Sequence, residues 1–335
     1  MPPINPQIEF LLGSGPPKDF GKMGTIRWAA KNSPKDPTQT SFAGETVLVT
    51  GSNTGLGYQA ALKFAALGAS KLILAVPTIS KGEEAKTKIV LAAAASTSTS
   101  ASNIIVLPLD MGDFASVKTF PHRLQQAGIH RLDVAVLNAG IAPTSYQANA
   151  ATGLESALQN SQIEGQGPAQ LTLTGSFAHL YLMSKDLPTV TPGQSVLKAI
   201  NSPQFFNAET SYAVMKLLTM YVMQGLVKNY AGREANPDVT ANVVCPGLCT
   251  TELGCDFLWY VMLPLKLMQM YCARSAEEGS RLLVSATLLG TAGHGKFWTN
   301  DVFTKPGPLV TNEEGKALQE QIWAEIVDIC NQELN

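Results

Sequence analysis

The chain has 335 residues, of which 45% are hydrophobic and 15% charged, and its formal net charge is −2. That length and apolar content suffice for a large buried core. The near-neutral charge supplies no basic field for nucleic acid or an anionic membrane.

Five cysteines (Cys245, Cys249, Cys255, Cys272 and Cys330) form an odd set without paired metal spacing. They read as reduced core or loop thiols of an intracellular, cytoplasmic protein. Cys245 and Cys249 have no histidine nearby to complete a metal site. The four histidines, His122, His130, His179 and His294, are scattered and read as surface or packing residues.

In chain order, residues 1–43 are rich in Pro, Gly and Lys and are expected to form an arm wrapping the domain that follows, 44–335. Their first twenty residues lack the basic start and long apolar run of a signal peptide. "TVLVT" (46–50) is a β-branched run ending in glycines, and the helix-like "YQAALKFAALG" comes next. "KLILAV" (71–76), "NIIVLPLD" (103–110), "RLDVAVLNAG" (131–140), "AQLTLTGS" (169–176) and "VTANVVCPG" (239–247) predict further strands, most of them separated by helical patterns. Strands alternating with helices predict a doubly wound, mostly parallel α/β sheet in a single domain, covered on both faces.

Two stretches break this rhythm. "AAAASTSTSAS" (92–102) is low in complexity and reads as a solvated loop or a frayed helix end. "QNSQIEGQGPAQ" (159–170) is polar and Gly-rich where the alternation demands a helix. The apolar "FLWYVMLPLKLMQMY" (257–271) is too short for a membrane span and holds Pro264 and Lys266. A lid over an apolar substrate, around 252–275, is preferred to contact with a membrane surface.

The chemistry concentrates in three places. Thr50-Gly51-Ser52-Asn53-Thr54-Gly55-Leu56-Gly57 follows the first strand. Glycines there let the backbone turn sharply towards a pyrophosphate, and the next helix offers its free N–H groups to that anion. "SYAVMKLL" (211–218) sets Tyr212 and Lys216 four residues apart in an apolar helix, so the two side chains share one face. A free phenol has a pKa near 10. A cation one helical turn away is expected to lower it and to fit the phenol for proton exchange. Third, the end of the second strand, "LAVPTISKG", carries no acid to grip the 2′-hydroxyl of NAD.

In this order the motifs resemble those of the short-chain dehydrogenase/reductase family. Gly51, Ser52, Asn53, Thr54, Gly55, Leu56 and Gly57 match its cofactor loop, and Asp110 its adenine-contacting acid. Asn138, Ala139 and Gly140 match its Asn-Ala-Gly motif. Ser176, Tyr212 and Lys216 match its catalytic set, and Pro246, Gly247 and Thr251 the segment that touches the nicotinamide. "SKGEEAK", "ARSAEEGSRLL", "GKFW" and "LQEQIWAEIVDI" look most like the retinol-dehydrogenase-like branch, especially fungal members of secondary metabolism.

The resemblance implies hydride transfer between NADP(H) and the carbonyl or alcohol of an apolar small molecule. Tyr212 then exchanges the proton, Ser176 holds the substrate oxygen and Lys216 also holds the nicotinamide ribose. Thr78, Ser80 and Lys81 are left as partners of the 2′-phosphate. The segment between Asn138 and Ser176 is shorter than the family's, and Asn160 stands near the position of its catalytic-tetrad Asn without the helix to support it. A second reading is therefore a cofactor-binding relative whose activity is impaired by the short segment. The homodimer usual in the family also depends on that helix.

Overall fold

The computed structural model describes residues 12–16, 21–93, 100–140, 169–191, 193–207, 210–229, 232–233, 236–237, 239–250 and 269–334. Thr251, Asn160, the polar run to 168 and the expected lid up to 268 lie outside the described residues.

The strands form where the apolar runs predict them: β1 (Thr46–Thr50), β2 (Lys71–Val76), β3 (Ile104–Pro108), β4 (Val134–Leu137), β5 (Gln170–Thr174) and β6 (Thr240–Cys245). The chain also adds a hairpin of two short strands, β7 (Phe297–Thr299) and β8 (Val302–Thr304). The sheet order is β8-β7-β6-β5-β4-β1-β2-β3. Every neighbouring pair is parallel except β7 with β8. Between β7 and β8, Asn300 and Asp301 both have positive φ, 52° and 59°. Two left-handed central residues make the tight turn whose twist matches a hairpin. The three-residue strands are too short to show a period-2 pattern, so their legible signal is the Asn-Asp pair between "FWT" and "VFT".

Both faces of the sheet are buried, which is why its strands read as unbroken apolar runs. Alternate side chains enter different cores. Val47 and Val49 join one with Phe64, Leu72, Leu74, Ile89, Leu283 and Trp298. Leu48 joins the other with Ile73, Leu173, Val214, Leu217, Leu218, Val243 and Ile322.

The long helices among the described residues are α1 (Gly21–Lys31), α2 (Gly55–Ala66), α3 (Ile79–Ala93), α4 (Phe114–Gln126), α5 (Ser211–Asn229), α6 (Ala276–Thr287) and α7 (Glu313–Leu334). The first core draws on α2, α3 and α6, and the second on α4, α5 and α7. Each fully buried Leu, Val, Ile or Phe contributes about 1.5–3 kcal/mol.

Local chemistry fixes the helix ends that matter for the site. α2 stops at Gly68, φ +83°, where Gly68 N–H reaches the Ala65 carbonyl and Ala69 N–H the Phe64 carbonyl. α6 starts in a capping box, in which Ser275 Oγ accepts from Glu278 N–H and the Glu278 carboxylate accepts from Ser275 N–H.

Candidate active site

The site lies at the carboxyl ends of β1, β4, β5 and β6, where parallel α/β sheets open their ligand crevice. At the end of β1 the chain turns through Gly51 and Gly55, with φ of +62° and +60°. A Cβ added at Gly57 would overlap the Gly51 carbonyl and lie 2.6 Å from Asn138 Nδ2, so the loop tolerates no side chain there. Thr50, buried, ties the loop to the end of β4. Its Oγ1 accepts from the backbone N–H groups of Asn138 and Ala139, both at 2.9 Å. Asn138 Nδ2 donates to the Thr50 carbonyl at 3.2 Å.

Thr54 is the N-cap of α2, yet its side chain makes no capping hydrogen bond. The first N–H groups of α2 thus face the glycine loop with no side-chain partner. Ser52 Oγ in the same loop is buried without a hydrogen-bond partner. An uncapped helix start behind glycines that cannot bear a Cβ fits the pyrophosphate of a dinucleotide.

Asp110 follows β3, and its Oδ1 accepts from Gly112 N–H at 2.8 Å. Pro77, Thr78, Ser80 and Lys81 are exposed just past β2, and the first turn of α3 carries no acid. Gly140 is exposed at the end of the Asn138–Gly140 motif.

α5 is buried on nearly every side, and it carries Tyr212 and Lys216 towards the ends of β5 and β6. Ser176 follows β5 as the N-cap of a short 3-10 turn, Phe177–Tyr181, and its Oγ accepts from Ala178 N–H at 3.2 Å. The Tyr212 phenol lies near enough to the Ser176 hydroxyl for that side chain to pull its pKa down against burial. Lys216 Nζ donates to the Thr174 carbonyl at 2.9 Å and lies 5.6 Å from the centre of the Tyr212 ring. Thr174 Oγ1, on that same residue, is buried without a partner. The fold therefore brings Ser176, Tyr212 and Lys216 together.

The acidity of the phenol runs opposite to the expectation from spacing. Burial pushes Tyr212 up to about 12, with the Ser176 side chain pulling the other way. Burial also pulls Lys216 down to about 8. The cation that was expected to lower the phenol is itself drawn out of water and turned onto a backbone carbonyl, so desolvation outweighs the charge effect.

Two residues that sequence patterns did not single out support this set. His179 is fully buried, its Nδ1 lies 2.6 Å from the Ser176 carbonyl oxygen, and its ring packs edge-on against Phe297. Burial lowers its pKa. Arg274 is 2% exposed and reaches the Pro246 carbonyl from Nη1 at 3.3 Å. Beside it Gly247 turns with φ +84°. The legible signal for Arg274 was its place in "ARSAEEGSRLL", directly before the α6 capping box. Cys245, Cys249 and Cys272 are buried free thiols, and Cys245 Sγ accepts from the N–H groups of Phe177 and Gly247.

The short chain dehydrogenase family model matches residues 45–257, which span the glycine loop, Ser176, Tyr212, Lys216 and the Pro246–Gly247 turn. The chain belongs to the short-chain dehydrogenase family. It is 41% identical over 316 residues to a short-chain dehydrogenase/reductase of Aspergillus flavipes, ffsI, covering 90% of each chain. It is 40% identical over 323 residues to another, phmF of Phaeosphaeria nodorum, covering 92% of each. Among solved structures, a short chain dehydrogenase of Burkholderia cenocepacia in complex with NADP superposes with a TM-score of 0.53 at 20% identity. That match covers 78% of this chain and 97% of the other, and it supports the fold. As a short-chain dehydrogenase, the protein is an oxidoreductase that uses a nicotinamide cofactor and a small-molecule substrate. Among the described residues no helix is long and apolar enough to cross a membrane.

Proposed function

We propose that the protein interconverts a carbonyl and an alcohol on an apolar small molecule, with NADP(H) as the hydride partner, in fungal secondary metabolism. The observation that carries this reading is the convergence of Ser176, the Tyr212 phenol and Lys216, one helical turn away, beside a glycine loop that excludes side chains.

When bound, the cofactor supplies or accepts the hydride. The chain's own residues do the rest. Ser176 orients the substrate oxygen through its hydroxyl. Tyr212 gives a proton to that oxygen in reduction and takes it back in oxidation. With burial pushing its pKa up to about 12, the phenol stays protonated at neutral pH, the form that reduction requires. Lys216 holds a positive charge close to the developing phenolate and presents its remaining N–H groups to the ribose hydroxyls. Gly51 to Gly57, with the start of α2, receive the pyrophosphate. Asp110 and the Asn138–Gly140 segment line the adenosine side, and Pro246 and Gly247 the nicotinamide side.

NADP(H) is favoured over NAD(H) because the tip of β2 presents Thr78, Ser80 and Lys81 to solvent and no carboxylate. The exposed side chains of Tyr181 and Met183, on the segment after Ser176, support an apolar substrate. Two fungal relatives cover nine-tenths or more of their own length with this chain, which supports the metabolic setting.

Titrating NADPH and NADH against the protein, then screening apolar carbonyls and alcohols for turnover, tests the proposal. Tighter binding of NADPH with turnover is expected. Tighter binding of NADH would overturn the cofactor choice. Stoichiometric binding without turnover on a broad panel would instead favour an impaired relative.

A further inference from the structure

We propose that Arg274 is a positioning residue for the Pro246–Gly247 turn, and that through it the N-terminal helix α1 is a working part of the cofactor site. The proposal rests on the reading above that this turn meets the nicotinamide.

The guanidinium is buried at the junction of four chain segments. Nε donates to the Ala29 carbonyl at 2.8 Å, and Nη2 to the Asn32 carbonyl at 3.0 Å. Nη1 donates to the Pro246 carbonyl at 3.3 Å, and Nη2 also to Asn300 Oδ1 at 2.8 Å. A buried guanidinium ordinarily pairs with a carboxylate. Arg274 takes part in none of the ion pairs among the described residues, and its acceptors are neutral oxygens.

What offsets the charge is placement. Ala29 and Asn32 stand at the C-terminal end of α1, where carbonyls lack intrahelical partners and the helix dipole is negative. The cation therefore closes the end of α1 and grips the Pro246 turn with the same group. Burial lowers the pKa of Arg274, and Cys249, Cys245, Asp301 and Glu278 work against that shift.

The turn is built onto this cation. A Cβ at Gly247 would lie 3.1 Å from Arg274 Nη1. The backbone joins as well, with Arg274 N–H donating to the Leu248 carbonyl and Thr250 N–H to the Arg274 carbonyl, both at 2.8 Å. Residues 246–250 are thus held by the backbone and the side chain of one residue, whose other contacts are with α1 and the β7–β8 turn.

That hairpin turn adds a second tie to the N-terminal segment. Asp301 Oδ2 accepts from Lys35 N–H at 2.9 Å, and the Asp301 carbonyl accepts from Gly13 N–H at 2.8 Å. Moving α1 or the hairpin shifts the guanidinium, and the guanidinium shifts the Pro246 carbonyl and the glycine folded against it.

The test compares Arg274→Met, Arg274→Lys and Asn300→Gly in the full chain. Glycine is chosen because position 300 needs a positive φ, and it removes the Oδ1 acceptor alone. Two readings are taken: NADPH affinity with the kcat and KM split, and amide hydrogen exchange without cofactor.

Arg274→Met should weaken NADPH binding at least tenfold, raising its KM more than it lowers kcat. Exchange should quicken together at 22–32 and 247–250 while β1 and β2 stay protected. Arg274→Lys should recover part of the affinity, and Asn300→Gly should show the same coupled exchange at smaller size.

NADPH affinity within twofold of the parent in a folded Arg274→Met protein would overturn the proposal, as would faster exchange in α1 alone. If Arg274→Met does not fold, unchanged exchange at 247–250 in both other variants overturns it. A parent that binds no nicotinamide cofactor would instead refute the proposed function, and the exchange reading would still decide whether α1 and the turn are coupled.

Discussion

Arg274 sets its guanidinium among acceptors from α1, the Asn32 linker, the Pro246 turn and the β7–β8 hairpin, while Lys216 leans its ammonium on the single carbonyl of Thr174 next to a buried hydroxyl that has no partner. Both cations are drawn out of water. In the first case fixed dipoles replace the lost hydration on several sides. In the second, burial pulls the ammonium down to about 8, and the surrounding polar atoms are left to be completed by something else. An unsatisfied buried donor or acceptor costs about 1–3 kcal/mol. A site that keeps Ser52 Oγ and Thr174 Oγ1 unpaired therefore carries a local cost that a bound ligand can relieve. The contrast separates a cation held by fixed dipoles on several sides from one whose polar surroundings are incomplete.

The contrast breaks most readily at Lys216. Lys216→Met keeps the apolar stem and removes the ammonium. Turnover should fall on the order of a hundredfold or more, and cofactor affinity should weaken, read by steady-state kinetics and fluorescence titration. Unchanged turnover would make Lys216 a core residue like its neighbours Leu217 and Leu218.

The glycines sharpen the comparison, because two of them are required for different reasons. Gly57→Ala forces a Cβ into the Gly51 carbonyl and Asn138, so the loop must open. Cofactor affinity should drop about tenfold, with a stability loss of about 1–3 kcal/mol from overpacking. Gly68 has φ +83° with open space around it. Gly68→Ala should cost about 1 kcal/mol of backbone strain and leave cofactor affinity alone. Melting curves and titrations of both variants separate the two.

The smallest expected effect is on the pH dependence of stability. The Lys216 pKa is near 8 in the folded chain and near the ordinary lysine value when unfolded. Between those two values the unfolded chain binds the extra proton, so stability from this group rises with pH. Its penalty is fully present below pH 8 and is relieved on the way to the unfolded value. The melting temperature of the parent should therefore gain on that of Lys216→Met as pH goes from about 7 to about 9.5. Parallel melting curves would place the ammonium in water.

Much of the frame could be read from residues alone. Runs such as "KLILAV" are buried on both sides, and the glycine loop needs its glycines for reasons that spacing discloses. Tyr212 and Lys216 meet because a helix repeats every four residues or so. The acidity of the phenol was not legible. It turns on how deeply the pair is buried, which depends on β5, β6 and the turn after Ser176 rather than on the helix itself.

Arg274 was hidden for a similar reason. Its role arises from partners such as Ala29, 245 residues away in the chain, and no local pattern encodes that. The hairpin escaped because each of its strands has three residues, although Asn300-Asp301 marked its turn. His179 belongs with these: as one scattered histidine it gave no sign of gripping the Ser176 carbonyl.

The central claim is that the proton moves at the Tyr212 phenol, and single-turnover hydride transfer measures it most directly. The parent and Tyr212→Phe are mixed with excess NADPH and a carbonyl that the parent reduces, and nicotinamide oxidation is followed. The account predicts NADPH affinity within about twofold of the parent and a transfer rate lower by roughly two to four orders of magnitude. A Tyr212→Phe protein that transfers hydride within about threefold of the parent rate would contradict it, because it would do so without the general acid assigned here.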